Sequence, residues 1–286
     1  MERFGFNINL KMTPDDIRTV GEAVLRDGTY QAIEVTYYEN MEHIDTKGYN
    51  DAVKEIADKY HPQVLVHISG FNLAEENSTL RKGILEEIKN CIAYTKWLGG
   101  KEIIIHSGDR GAGIHVPVLR TDKKTANTKD VYEKAFRLSV EMMQCACDMA
   151  KAEGIILYTE NLNGAQLTIT TEDLKCYLNA VNRENIKLVF DVGHCYHMGK
   201  EIYSEVIAAG NLLHHLHIHD NHGPRKEAWQ DEHLPVGEGT IDYHLFIKAL
   251  LEIQYQGLYM MEFYLCTAEN LQNSRKALLS ILESSR

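Results

Sequence analysis

The stretch LLHHLHIHDN, residues 212–221, decides the fold. Successive side chains of a β-strand point to opposite faces, and a strand of a closed parallel barrel must offer apolar groups outward to its helices. Leu216 and Ile218 meet that need, so His217 and His219 turn inward and His215 lies one layer below. His214 and His222 fall outside the pattern and read as solvated or loop residues.

The same reading extends along the chain. Short β-rich runs recur as FGFNI (4–8), AIEV (32–35), VLVHIS (64–69), EIIIHSG (102–108), IILYTEN (155–161), KLVFDVGH (187–194) and LYMMEF (258–263). Between them lie longer stretches with apolar residues at i, i+3, i+4 and i+7, several opening on an N-cap residue, as in Thr13 followed by Pro14. Alternation of this kind predicts βα units and a parallel sheet. Eight strands with eight helices close a (β/α)8 TIM barrel, of class α/β. No linker-like composition breaks the chain, so residues 1–286 are expected to form a single TIM-barrel domain. The irregular piece from Gly108 to Lys129 is long for a plain connection and is expected to shape a site.

Composition narrows the function. The formal charge of −11, from 41 acidic and 30 basic residues, argues against a chain built to grip phosphate backbones, and nucleic acid is not an expected partner. Six scattered cysteines without a C-x-x-C pair read as reduced thiols of a cytoplasmic protein. The amino terminus lacks the charged-then-apolar pattern of a secretory signal, and no segment approaches the ~18 apolar residues of a spanning helix.

The chemistry sits where the runs end. Val64–Val66 leads to His67, Ile103–Ile105 to His106, Leu157 and Tyr158 to Glu160, Val189 and Phe190 to Asp191 with His194 beyond, and Leu258–Met261 to Glu262. By parity Ile105 and Met261 face the helices, which turns His106 and Glu262 inward. The set converges at the carboxyl ends of the strands, where barrels of this type keep their active sites. So many buried imidazoles and carboxylates cannot stay unpaired, and no strand-end Lys or Arg offers a partner. One to three divalent cations would satisfy them together. Imidazole mixed with carboxylate, without cysteine, suits Zn²⁺, Mn²⁺, Co²⁺ or Fe²⁺, and the carboxylate share leans toward hard six-coordinate ions such as Mn²⁺ or Mg²⁺. In the following loop, DEHLPVGEGTIDY (231–243), Asp231 and His233 are spaced to reach back as a further pair.

Plainer readings hold for other residues. Cys195 is expected to be a buried thiol without a base, His219 to support a ligand as readily as to be one, and Asp220 and Asn221 to brace their loop. Trp229 and Arg225 are candidate substrate contacts. Arg110, Arg120, Lys123, Lys124, Lys129 and Arg225 read mostly as solvated charges, with phosphate neutralisation by the cluster after the fourth strand as the alternative.

On the motifs TENL (159–162), DVGH (191–194), HIHDN (217–221), D-x-H-L-P-x-G-E-G-x-I-D (231–242) and MEF (261–263), the chain resembles the xylose isomerase-like barrel superfamily. That group holds sugar phosphate isomerases and epimerases, ketose 3-epimerases, inosose isomerases and dehydratases, and endonuclease IV. The resemblance implies Glu160, Asp191, His217 and Glu262 as the ligands of one metal, with His194 contacting substrate or a second ion. In the endonuclease branch three zinc ions also engage the residues matching His67, His106, His194, Asp231 and His233, and all five are present here.

The expected function is a metal-dependent isomerase or epimerase of a small sugar, polyol or sugar phosphate. The cation would bind a carbonyl oxygen and its neighbouring hydroxyl as an enediolate forms, while Glu160 and Glu262 exchange the carbon-bound proton from opposite faces. The alternatives are a zinc phosphodiesterase on abasic DNA, with Phe71 and Leu73 as wedges, and an inosose or sugar dehydratase on the same barrel. The loops TYYENMEHIDTKGYN (36–50) and GFNLAEENS (70–78) are acidic or neutral where a duplex would need Lys and Arg. Whether the chain self-associates as a homo-oligomer is open at this point.

Overall fold

The computed structural model describes residues 2–37, 45–110, 129–224 and 231–285. Its eight parallel strands are β1 (Arg3–Ile8), β2 (Ala32–Tyr37), β3 (Gln63–Ile68), β4 (Glu102–Ile105), β5 (Ile156–Glu160), β6 (Ile186–Asp191), β7 (Leu213–Ile218) and β8 (Leu258–Met261). They follow one another round a closed barrel, and Phe4 of β1 pairs with Tyr259 of β8 to complete it.

Helices α1 (Pro14–Leu25), α2 (Thr46–Tyr60), α3 (Ser78–Trp97), α4 (Lys129–Ala152) and α5 (Thr171–Val181) follow the first five strands. Beyond β6 come α6 (Val192–His197) and α7 (Ile202–Ala209), and α8 (Tyr243–Glu252) and α9 (Ala268–Ser285) complete the outer layer. Thr13 caps α1 and Thr170 caps α5 in reciprocal capping boxes with Asp16 and Asp173, which fixes where each helix leaves its loop.

Period-two alternation divides the strands between two cores. Outward residues such as Phe4, Phe6, Ile33, Val35, Leu216 and Ile218 are buried against the helices. Inward, Ala32, Leu65, Ile104, Tyr158, Val189, Leu258 and Met260 pack as a plug, each at 0–3 % exposure. At the level of the plug, His215 packs against Tyr158 with ring centroids 4.6 Å apart and the planes tilted, as its inward parity predicts.

The sequence reading of β6 needs one correction. The run 187–194 does not stay extended: the strand stops at Asp191, whose side chain accepts a hydrogen bond from the His194 amide (2.6 Å) and so caps α6. Among the described residues the barrel therefore carries one more helix than strand repeats predict, and His194 reaches the site from a helix. No helix among the described residues is long and apolar enough to cross a membrane.

Candidate active site

Above the plug every strand places a polar side chain toward the axis, at or near its carboxyl end except for Glu34, which stands inside β2. Asn7, Glu34, Glu160, Asp191 and His217 are 0–5 % exposed, and His67 is 7 % exposed. His106 and Glu262 lie one residue beyond their strands. His217 is the hub. Its Nδ1 lies 2.9 Å from Glu160 Oε2, 3.2 Å from Glu262 Oε2 and 3.8 Å from Asp191 Oδ2, while its Nε2 lies 3.0 Å from Glu34 Oε2. On the neighbouring side, His106 Nε2 stands 3.0 Å from Glu160 Oε1 and 2.9 Å from His67 Nε2.

A second group sits beside the first. A bridge between Asp220 and Leu234 folds the loop after β7 back over the barrel, and Asp220 accepts from the amides of Asn221, Gly237 and Ile241. That brings Asp231 Oδ2 within 2.9 Å of both His194 Nε2 and His233 Nε2. The Nδ1 atoms of those imidazoles face main-chain carbonyls, of Asn161 at 3.1 Å and Glu262 at 2.9 Å. Each Nδ1 must donate there, and Asp231 only accepts, so each Nε2 donates to it when the ring is protonated, while a neutral ring keeps its Nε2 lone pair for a cation beside Asp231. His233 holds this pose with a left-handed backbone, φ 45°. Its ring lies flat on His219, with centroids 3.7 Å apart, and under Tyr264 at 4.5 Å.

The charges oppose one another at close range. Burial pushes Glu160 up, but His217 and His106 more than reverse this and hold it well below the usual carboxylate range. Burial likewise acts on Glu262, and His217 brings it down to about 2. Burial lowers His217, which Glu34, Glu262 and Glu160 together raise well above the ordinary imidazole value. Despite these contacts, both Glu160 oxygens, His217 Nδ1, His219 Nδ1 and Asp231 Oδ1 are buried and make no hydrogen bond. Donor atoms of Asp191, His217 and Glu262 lie within 4.8 Å of one another, as do those of His67, His106 and Glu160, and those of His194, His219, Asp231 and His233. Unsatisfied carboxylate and imidazole donors in such clusters fit a divalent cation.

A cavity of about 300 Å³ opens over these groups, lined among others by Glu160, His194, Asp231 and Glu262. Another hollow, of about 320 Å³, lies at the opposite end among Leu250, Tyr255, Tyr259 and Leu282, and its lining holds no histidine. The chemistry belongs to the first.

All nine candidate ligands named from the sequence meet here: Glu160, Asp191, His217, Glu262, His67, His106, His194, Asp231 and His233. His219 is drawn in as well, donating from Nε2 to Asp191 Oδ1 at 3.0 Å. Trp229 and Arg225 lie outside the described residues, as do Arg120, Lys123 and Lys124, and nothing is described of the Lys129 side chain. Arg110 is not free for a phosphate: it donates to Gln166 O at 2.7 Å and faces Asp173 at 3.6 Å. Leu73 is fully buried in the core and is no wedge, and Cys195 is a buried thiol pushed up by desolvation. Glu34 escaped the sequence reading, although a carboxylate between outward Ile33 and Val35 carries the parity signal that found His217.

Gly193 lies against His219. A Cβ there would stand 2.1 Å from His219 Cε1, and the ring cannot retreat because His233 covers its other face. Gly193→Ala is expected to cost ~1–3 kcal/mol by overpacking, read as a lower midpoint in denaturant. An unchanged midpoint would show that the imidazole has room to move.

A parallel eight-stranded barrel with imidazoles and carboxylates gathered at its carboxyl end defines a class of α/β barrel with its titratable groups at the end where such barrels carry their active sites. Residues 22–282 match the family described as xylose isomerase-like TIM barrel, and the chain belongs to that family. Inosose isomerase of Bacillus subtilis (strain 168) is 28 % identical over 229 residues, covering 77 % of this chain and 76 % of the relative. L-ribulose 3-epimerase of Methylomonas sp. (strain DH-1) is 32 % identical over 124 residues, covering 42 % of this chain and 39 % of the relative. Among solved structures, a D-tagatose 3-epimerase-like protein superposes with a TM-score of 0.72 at 23 % identity, covering 99 % of this chain and 98 % of the other. That superposition speaks for the fold.

Proposed function

We propose that the chain is a divalent-metal-dependent isomerase or epimerase of a small sugar, polyol or sugar phosphate, acting by proton transfer beside a carbonyl. The observation that carries this reading is the convergence of Glu160, Glu262 and Asp191 on His217 Nδ1, with the Glu160 oxygens and that nitrogen buried and unbonded. These four residues would hold one ion, Zn²⁺, Mn²⁺, Co²⁺ or Mg²⁺, and His67 with His106, or His194 with Asp231 and His233, would hold a second or third. When bound, the cation polarises a carbonyl and its neighbouring hydroxyl, making the adjoining carbon-bound proton acidic.

The rest falls to the protein. Glu160 and Glu262 approach from β5 and from the end of β8, both line the cavity, and one takes the carbon-bound proton while the other returns it to the opposite face. His194, anchored by Asn161 O and Asp231, presents its ring to the same cavity and orients a substrate hydroxyl. About 300 Å³ is at the small end of ligand pockets and suits a monosaccharide. Trp229 and Arg225 complete the substrate contacts in this reading, in a cytoplasmic enzyme whose residues 1–286 form one barrel domain and which can act as a homo-oligomer. A dehydratase shares the first proton abstraction and is the nearest variant of this reading.

The overlapping ligand clusters favour one further reading, a zinc phosphodiesterase on abasic DNA. Metal analysis of the purified protein, paired with assays on a ketose panel and on abasic duplex, separates the two. One or two ions per chain with ketose turnover is the expected result. Three zinc ions with strand cleavage would establish the nuclease, and a chain that takes up no divalent metal would overturn the site.

A further inference from the structure

Glu34 has no part in the proton transfer above, yet it is 1 % exposed and sits in the middle of the polar ring. The groups that meet it are two imidazoles from different walls of the barrel. Glu34 Oε2 lies 3.0 Å from His217 Nε2 on β7, and Glu34 Oε1 lies 3.3 Å from His67 Nδ1 on β3. An ionised carboxylate only accepts, so both facing nitrogens must carry hydrogen. A neutral imidazole has one N–H, and the lone pair is then left on the other nitrogen of each ring. For His217 that is Nδ1, facing Glu160 and Glu262. For His67 it is Nε2, which faces His106 Nε2 at 2.9 Å and Glu160 Oε1 at 3.6 Å.

We propose that Glu34 is a positioning residue: one carboxylate sets the tautomer of His217 and His67 together and thereby delivers one nitrogen donor to each of two adjoining ligand clusters. The inference rests on the metal reading of the site and adds the group that prepares it. Its sequence basis is β-strand parity alone, because Ile33 and Val35 face the helices and Glu34 the axis. Carboxylates that hold ligand histidines in this way raise their basicity and fix their orientation, and losing one costs ten- to a hundredfold in metal affinity.

Glu34→Gln is the test, because the amide keeps the volume but has one accepting oxygen and one donating nitrogen. It can accept from one histidine only and must present N–H to the other, whose lone pair then turns away from its cluster. With zinc alone as the probe, chelator competition should give a dissociation constant raised ten- to a hundredfold over wild type. In the zinc-loaded protein, ¹⁵N shifts should show His217 protonated at Nε2 and His67 at Nδ1 in wild type, with one ring altered in the variant. An affinity within twofold, or lower affinity with both rings unchanged, would overturn the proposal. If the Gln variant does not fold, Glu34→Asp keeps the charge, withdraws it by one methylene and should show the same loss in milder form; unchanged affinity there overturns it equally. Wild type that binds no zinc is a separate result, and it overturns the metal reading itself.

Discussion

Replacing Glu262 by Gln is expected to slow exchange of the substrate's carbon-bound proton with D₂O by ~10²–10⁴-fold, the usual worth of a positioned acid or base. The substitution is isosteric, and the hydrogen bond that Glu262 accepts from His233 uses its main-chain carbonyl, with the carboxylate farther off at 3.9 Å, so the loop carrying Asp231 keeps its main anchor. The variant loses a proton acceptor within the cavity and one charged oxygen 3.2 Å from His217 Nδ1. Glu160→Gln should lose more, because Glu160 also faces His106 at 3.0 Å and its removal strips two ligand clusters at once. Undiminished exchange in Glu262→Gln would refute the division of labour between the two glutamates. Exchange lost in one variant but racemic return in the other would instead assign which carboxylate serves which face.

His217→Ala should have the largest effect on stability. One imidazole stands between Glu34, Glu160, Asp191 and Glu262, four carboxylates buried or nearly so, and its deletion leaves them facing one another. Breaking a buried pair by removing one partner costs ~3–5 kcal/mol, which at roughly 2–4 °C per kcal/mol lowers the melting temperature by the order of 10 °C. In protein stripped by chelator the sign of the pH dependence follows from the shifts. Burial raises Glu262 and His217 brings it down to about 2, so its contribution is present above its ordinary 4.5 and is lost as pH falls toward 2. His217 is raised by its carboxylates against the pull of burial, so its contribution is full below 6.5 and is lost as pH rises through its elevated value. The gap between wild type and His217→Ala should therefore close in acid. A gap that persists unchanged at pH 2 would point to a cavity effect in place of charge.

The barrel and most of its site were legible because both follow from parity. An inward residue at a strand end is found by counting back from an outward leucine or isoleucine, and that count places His217, His106 and Glu262 without any three-dimensional knowledge. It failed at Asp191–His194, because a strand and a short helix share the apolar run KLVFDVGH and only the capping bond from Asp191 to the His194 amide separates them. Glu34 is hidden for a different reason: the other titratable groups mark the ends of their runs, while Glu34 stands inside one. Pairings across the barrel, such as Glu34 with His217 at a separation of 183 residues, carry no local signal. The stack of His219, His233 and Tyr264 depends on a loop folding back, and spacing alone does not fix that contact.

The apolar plug of Leu65, Ile104, Tyr158, Val189 and Met260 also governs traffic. With the floor sealed at 0–3 % exposure, the chamber is a cul-de-sac, and whatever enters by the carboxyl-end mouth must back out the same way. Substrate and product of a reversible isomerisation then queue at one doorway, so accumulating product should slow turnover by occupying the entrance as well as by mass action.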